Sequence, residues 1–256
     1  MAKWDSDQYL KFEKERTQPS IDLARRIERE SADSVIDIGC GPGNSTSVIA
    51  GRFPKARVTG ADNSQNMIGK AKALHPELDF ILFDASGDFG EIKEKYDVVF
   101  SNACIQWVPD HKKLLPKMMS LLNEGGTLAV QVPMNYKEPV HTIIGELIKS
   151  KKWRDKFDEP RIFYTLTQEE YFDILAAASS DFTIWETVYC HRMASHESIL
   201  EWYRGTGLRP YLEALNETDK AEFEKDFLEE VKKAYPKQEN GEIIFRFPRF
   251  FFTAEK

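Results

Sequence analysis

Cysteine is scarce in this chain: Cys40, Cys104 and Cys190 are the three among 256 residues. Their number is odd and their spacing wide, so no disulfide framework carries the fold, and all three read as reduced thiols. Histidine is sparse too. His191 and His196 form the one close pair, and no cysteine or acid stands near them at a zinc-ligand spacing, so no metal is expected. His75 and His141 receive no role. No apolar run approaches the length of a bilayer span. The opening Met-Ala-Lys-Trp-Asp-Ser-Asp-Gln lacks the apolar stretch of a signal peptide, so a cytoplasmic location is expected. Basic charge is short as well: 35 Lys and Arg against 42 Asp and Glu give a formal net charge of −7. That argues against a nucleic-acid partner, which needs a basic face. It does not exclude a small anion, because a few local arginines dominate the field inside a closed pocket. Internal repeats and low-complexity segments are missing.

What is present suits a globular protein. Hydrophobic residues make up 41% and charged residues 30%, enough for one domain with a sizeable elaboration or two small ones. The most informative stretch is Val35-Ile36-Asp37-Ile38-Gly39-Cys40-Gly41-Pro42-Gly43-Asn44-Ser45-Thr46. A short apolar run ends in three alternating glycines, and a helix-capable segment follows. Glycines at such a turn let backbone approach a ligand closely, and the helix end adds free N–H groups and a partial positive charge. This is a nucleotide-type site at the carboxyl end of a parallel strand.

Strand and helix patterns alternate from there: strand 34–39, helix 44–52, strand 56–62, helix 64–73, strands 78–84 and 96–102, helix 110–123 and strand 126–133, with Gly125-Gly126 as a break before the last. Alternation of this kind implies a parallel sheet flanked by helices. Residues 6–29 precede it as a helical segment, with Pro19 read as a helix start. After Pro133 the pattern changes. Residues 139–159 and 167–179 read as helices, 182–193 alternates like a strand, 196–235 is helical with breaks near Gly205 and Pro210, and 243–253 is a last strand.

The ligand follows from the side chains. A dinucleotide fingerprint is G-x-G-x-x-G, whereas here Asn44 stands where its third glycine would be. Asp37, just before the turn, would repel a pyrophosphate but can accept hydrogen bonds from an ammonium group. An amino-acid end on the ligand fits: S-adenosylmethionine has one and NAD has none. Asp62 ends the second strand and can accept both ribose hydroxyls, a feature both cofactors share. Asn63 follows, and Met67 one turn later can pack on an adenine face. Asp84, followed by Ala85, can accept from the adenine amino group, although Asp-Ala-Ser-Gly-Asp also reads as an ordinary turn. Asn102 and Ala103, at the end of the fourth strand, are placed to hold the methionine part of the cofactor, with orienting the substrate as the alternative for Asn102. Gly39, Cys40, Gly41 and Gly43 form the cradle itself.

The segment Val-Ile-Asp-Ile-Gly-Cys-Gly-Pro-Gly-Asn resembles the first motif of class I S-adenosylmethionine-dependent methyltransferases. Further pieces are similar to the trans-aconitate methyltransferase group: Gln8-Tyr9-Leu10-Lys11-Phe12-Glu13, Gln106-Trp107-Val108-Pro109-Asp110-His111, Gly205-Thr206-Gly207-Leu208-Arg209-Pro210 and Phe247-Pro248-Arg249. The resemblance spans nearly the whole chain. It implies an α/β fold, a doubly wound, mostly parallel, Rossmann-like sheet of seven strands with a helical cap. The sixth and seventh strands, 182–193 and 243–253, would be antiparallel. Residues 1–30 would lie as helices over the cofactor site, 31–134 would form the cofactor-binding core, and 135–256 the cap insertions plus the last two strands. S-adenosylmethionine would be the cofactor and S-adenosylhomocysteine its product.

A carboxylate acceptor needs no general base, since its pKa of about 4 leaves it ionised, and none is assigned; His111 reads as the first turn of a helix. A polycarboxylic acid needs arginines, whose guanidinium forks bind carboxylates and stay charged when buried. Arg204, Arg209 and Arg249 are the substrate candidates, with Tyr9, Gln106, Trp107 and Tyr203 as pocket walls. Trp107 can equally be core, and a lone arginine is more often a surface or salt-bridge residue. Arg16 is read as holding the cofactor carboxylate. A small-molecule carboxylate is the expected partner, with the chain a monomer or a homodimer. A methyltransferase acting at O, N or C of another small molecule, an NAD-dependent oxidoreductase and a catalytically silent cofactor-binding protein are the alternatives.

Overall fold

The computed structural model describes residues 13–157 and 162–256. Seven strands form one sheet in the order β3-β2-β1-β4-β5-β7-β6. They are β1 (Ser34–Ile38), β2 (Arg57–Asp62), β3 (Asp79–Leu82), β4 (Tyr96–Asn102), β5 (Leu122–Pro133), β6 (Phe182–Met193) and β7 (Ile243–Glu255). The first five pair in parallel, and β7 runs antiparallel to β5 and borders β6. The alternating pattern predicts the parallel sheet flanked by helices, and the family resemblance its doubly wound, mostly parallel, seven-stranded form. The order reverses between β1 and β4, and in open α/β sheets ligands bind beyond the carboxyl ends at such a switch point.

The helices among the described residues are α1 (Glu13–Arg25), α2 (Asn44–Arg52), α3 (Gln65–Leu74), α4 (His111–Ser120), α5 (Pro139–Lys149), α6 (Gln168–Ala178), α7 (His196–Arg204), α8 (Arg209–Ala214) and α9 (Glu217–Ala234). Their starts follow local chemistry. Ser64 caps α3 through the N–H of Met67, and Asn216 caps α9 through the N–H of Asp219. Thr167 and Glu170 form a reciprocal capping box at α6.

Several expected boundaries move. Pro19 lies inside α1 rather than at its start. The fourth helix ends at Ser120, and β5 begins at Leu122, ahead of the glycine pair. Gly125 takes a left-handed φ of 67° within the strand, and the β4–β5 register shifts between Tyr96 and Val98. The two glycines thus mark an irregularity inside a strand rather than a break before it. The expected helix over 139–159 stops at Lys149, and a short 3₁₀ turn follows at Arg154–Lys156.

The chain forms two compact units. One takes in Arg16–Pro133, Phe163–Thr187 and Arg249–Lys256. Its core joins fully buried Ile36, Phe100 and Tyr171 with Phe250, Phe251 and Phe252. Near-continuous apolar runs in its central strands reflect burial on both faces. The other takes in Met134–Ile162 and Val188–Pro248. It is a helical body whose own core is aromatic: Trp153, Trp202, Phe223, Phe227 and Phe245 pack with Ile143, Ile199 and Leu208. Among the described residues, no helix is long and apolar enough to cross a membrane.

Candidate active site at the carboxyl edge of the sheet

Strand register collects the site. Asp37 pairs with Gly60 of β2 and Phe100 of β4. Asn102 pairs with Gln131, Gln131 with Phe251, and Pro133 with Arg249. Residues two apart on a strand share a face. Asp37, Asp62, Asn102, Gln131 and Arg249 therefore lie on one face of the sheet, towards the carboxyl ends of the parallel strands.

The turn after β1 is built from left-handed backbone. Gly39, Gly41 and Gly43 have φ of 79°, 54° and 97°. A Cβ on Gly39 would fall 2.1 Å from the Sγ of Cys104, so that glycine serves close packing. Among the described residues, a Cβ on Gly41 would meet nothing within 4 Å. The space above Gly41 is open, which is the condition for a ligand to approach the backbone. Cys40 is buried against Ile68, Ala71 and Phe80 and acts as a small core residue. Burial raises its thiol pKa, and burial pushes that of Cys104 up to about 12, so neither is a nucleophile.

Asp37 is fully buried. Its Oδ2 accepts from the hydroxyls of Ser45 (2.6 Å) and Thr46 (2.8 Å), both on the first turn of α2. Its Oδ1 is buried and meets no partner among the described residues. Burial pushes its pKa up to about 6, against the pull of the two hydroxyls, with the charge of Asp62 adding to the rise. Asp62 is anchored differently. Its Oδ2 accepts the N–H of Gly41 at 3.0 Å and its Oδ1 the N–H of Ser64 at 2.9 Å. Each oxygen keeps a lone pair for a further donor. Burial raises its pKa, opposed by those two N–H groups.

Four buried side-chain polar atoms lack a partner among the described residues: Asp37 Oδ1, Asn102 Oδ1, Gln106 Oε1 and Gln131 Nε2. Each costs about 1–3 kcal/mol if left unmade. All four belong to the carboxyl ends of β1, β4 and β5 or to the turn after β4. Ala103, in that turn, takes a left-handed φ of 52°, uncommon for a residue with a Cβ. Its carbonyl accepts from Gln106 Nε2 at 2.7 Å, which fixes the Gln106 amide so that its oxygen is the orphan.

The remaining residues divide clearly. Met67 is buried near the start of α3, Asn63 is exposed and Ala85 is buried. Asp84 is exposed and accepts the N–H and hydroxyl of Ser86, an Asx turn. Trp107 is not core: it is 38% exposed and packs on Phe163 with ring centroids 4.8 Å apart. Arg249 is buried, and its Nη1 donates to Gln131 Oε1 at 3.1 Å. Tyr203, Arg204 and Arg209 belong to the helical unit. There Arg204 makes a two-pronged pair with Glu224, Arg209 pairs with Glu213 one turn on, and the Tyr203 hydroxyl meets His141 Nε2 at 3.1 Å. Tyr9 lies outside the described residues, and so does the side chain of Arg16 on α1.

His111 is closed to acid–base work. Its Nδ1 meets the Tyr171 hydroxyl at 2.8 Å and its Nε2 the carbonyl of Ile105 at 2.7 Å. The carbonyl can only accept, so Nε2 carries a proton. Burial lowers its pKa. Sequence reasoning did not single out Gln131 or pair Ser45 and Thr46 with Asp37. The hydroxyl pair was legible as a Ser-Thr step on the first turn after the glycines; Gln131 gave no signal, since one glutamine in an apolar strand has no motif.

A sheet of this order, with a glycine turn after its first strand and an anchored acid ending its second, defines the class I methyltransferase class. The methyltransferase-domain family model matches residues 29–200. Over all 256 residues the chain is 40% identical to trans-aconitate 2-methyltransferase of Escherichia coli, covering 99% of that protein, and 39% identical to its Shigella flexneri counterpart. The chain belongs to the trans-aconitate 2-methyltransferase family. Solved structures share the fold at lower identity. The YcgJ protein of Bacillus subtilis matches with a TM-score of 0.62 at 16% identity, over 93% of this chain and 98% of its own. Coclaurine N-methyltransferase, bound to N-methylheliamine and SAH, matches with a TM-score of 0.55 at 17% identity, over 93% of this chain and 70% of its own. Family membership sets aside the oxidoreductase alternative.

Proposed function

We propose that this chain transfers the methyl group of S-adenosylmethionine to one carboxylate of a small polycarboxylic acid, trans-aconitate or a close chemical relative, and that it does so in the cytoplasm. The observation that carries this reading is the placement of a buried guanidinium, Arg249, on the same sheet face as Asp37 and Asp62. Carboxylates with lone pairs to spare suit the ammonium and ribose hydroxyls of the cofactor. A buried arginine suits an anionic acceptor. The relatives of this family carry trans-aconitate in their name. A formal net charge of −7 supports a small-molecule acceptor over a nucleic acid.

The residues present fit the cofactor. When bound, S-adenosylmethionine supplies an electrophilic methyl carbon on a sulfonium. Asp37 Oδ1 is the acceptor for its ammonium. The open backbone at Gly41 admits its amino-acid end, and the lone pairs left on Asp62 accept its ribose hydroxyls. Met67 and Ala85 wall the adenine, and Asn102 Oδ1 accepts from the methionine part. Arg16, on α1, is assigned the cofactor carboxylate. Arg249 is assigned to the acid, with Gln106 and Trp107 as walls of its pocket, and Tyr9, Tyr203, Arg204 and Arg209 are assigned to the acceptor on family resemblance alone. No proton has to move, because a carboxylate is already ionised. Catalysis by these residues would then be positioning: orienting the acceptor carboxylate towards the methyl group that the cofactor would supply turns an encounter into an oriented, unimolecular step.

The test is methyl transfer from labelled S-adenosylmethionine to a panel of di- and tricarboxylic acids. Base-labile label on trans-aconitate is the expected result. Cofactor binding with no label on any acid would overturn the acceptor class and direct the search to amines, phenols and carbon nucleophiles.

A further inference from the structure

Gln131 lies one residue before the end of the buried stretch of β5 and is fully enclosed. The orientation of its amide is not arbitrary. Arg249 Nη1 donates to one end of it at 3.1 Å, and a guanidinium has no acceptor, so that end must be the oxygen. The amide nitrogen therefore points away from Arg249. Among the four orphan atoms, it is the one donor. The other three, on Asp37, Asn102 and Gln106, are acceptors.

A buried donor without an acceptor is costly, and the cost is removed when a ligand supplies the acceptor. The neighbourhood decides which ligand. Gln131 faces the same side as Arg249, whose cation attracts an anion, and pairs across the sheet with Asn102 at the carboxyl end of β4. An anion with two oxygens can meet the guanidinium and the amide N–H together. The choice of a neutral amide also matters. A glutamate at this position would pair with the guanidinium and repel an acid, whereas glutamine orients it without adding a negative charge.

We propose that Gln131 is a specificity-determining residue: it donates its amide N–H to a carboxylate of the acceptor and aims Arg249 at the same anion. The inference rests on the reading that the acceptor is a polycarboxylic acid. It adds that one carboxylate, other than the one methylated, is recognised at the end of β5.

The test compares the full-length wild type with Gln131→Met and Gln131→Asn at saturating S-adenosylmethionine. Acceptors are trans-aconitate and the analogues that each lack one of its carboxylates. For trans-aconitate, Gln131→Met is expected to raise KM about tenfold to a hundredfold, the effect of a lost hydrogen bond to a charged group. The kcat and the cofactor Kd should stay within a few-fold. For one analogue, the wild-type preference for trans-aconitate should collapse by the same factor, because the missing carboxylate is the one Gln131 reads. Gln131→Asn, which retracts the donor by one methylene, should fall between the two. If every analogue keeps its wild-type discrimination ratio in both variants, even with lower rates throughout, Gln131 is merely structural and the inference is overturned. Should Gln131→Met not fold, the Gln131→Asn ratios decide. A wild type that labels no acid at all would instead sink the acceptor assignment, a separate outcome.

Discussion

The N–H of Gly41 donates to Oδ2 of Asp62 at 3.0 Å, joining the open turn after β1 to the acid that ends β2. The other oxygen of Asp62 accepts the N–H of Ser64, the cap of α3. One carboxylate thus fixes two segments of the cofactor cradle and keeps lone pairs for a ligand.

Asp62→Ala should weaken S-adenosylmethionine binding by about 1.5–3 kcal/mol, the value of charge-assisted hydrogen bonds. Titration calorimetry would read this as a large rise in Kd. An unchanged Kd with a lowered Tm would show that Asp62 only holds the turn.

Gly39 and Gly41 share a left-handed backbone but differ in surroundings, and their alanine variants should part accordingly. Gly39→Ala drives a Cβ into Cys104 on top of about 1–3 kcal/mol of backbone strain, so Tm should fall steeply. Gly41→Ala meets open space and pays about 1–2 kcal/mol for its φ alone. Its larger loss should be cofactor affinity, because the new methyl occupies the approach path. Equal cofactor affinity in Gly41→Ala and wild type would remove that path from the site.

Asp37 couples pH to stability and to binding. Its native pKa of about 6 lies above its ordinary 3.8, chiefly through burial. The folded state therefore keeps a proton that the unfolded chain sheds between pH 3.8 and about 6. Stability from this group is fully present below that window and is lost as pH rises through it, by about 3 kcal/mol at most. Asp37→Asn should flatten that fall and raise the Tm of the ligand-free protein at pH 7.5. It should weaken the cofactor at the same time, since the ammonium loses its counter-charge. In the wild type, cofactor affinity should drop as pH falls below about 6, the native Asp37 value. Thermal scans and titrations from about pH 4 to 8, spanning the shift of Asp37 from 3.8 to about 6, would test both arms, and parallel pH profiles for wild type and variant would refute the assignment.

Arg209 is paired with Glu213, one helical turn on, at 2.7 Å. Such pairs contribute under about 1 kcal/mol to stability. If Arg209 binds the acceptor, Arg209→Ala should raise the acceptor KM at least about tenfold, the worth of a charged contact, and leave cofactor affinity and Tm nearly unchanged. Glu213→Gln, which leaves the guanidinium in place, should leave the acceptor KM, the cofactor affinity and Tm all nearly unchanged. Equal losses of acceptor and cofactor binding in Arg209→Ala would count against the role.

Local chemistry was readable before any coordinates. Alternating apolar runs and helix starts gave the parallel strands, because period and capping are properties of neighbouring residues. Val35 to Thr46 gave the cofactor turn, because glycine adopts left-handed backbone at the least cost and three such positions are found there. Family resemblance in that turn and in Gly205 to Pro210 extended the reading to the whole chain. Where the glycine signal was ambiguous, the reading erred: Gly125 and Gly126 sit within β5, because a strand absorbs an irregularity when its neighbour's pairing holds it. What only the tertiary structure decided were relations between residues far apart in sequence. It placed Gln131 against Arg249, 118 positions later, left the Asp37 Oδ1 bare while two hydroxyls covered its twin, and locked His111 between Ile105 and Tyr171. Which buried polar atom finds a partner depends on strand register and packing, and neither is written in the spacing of any one segment.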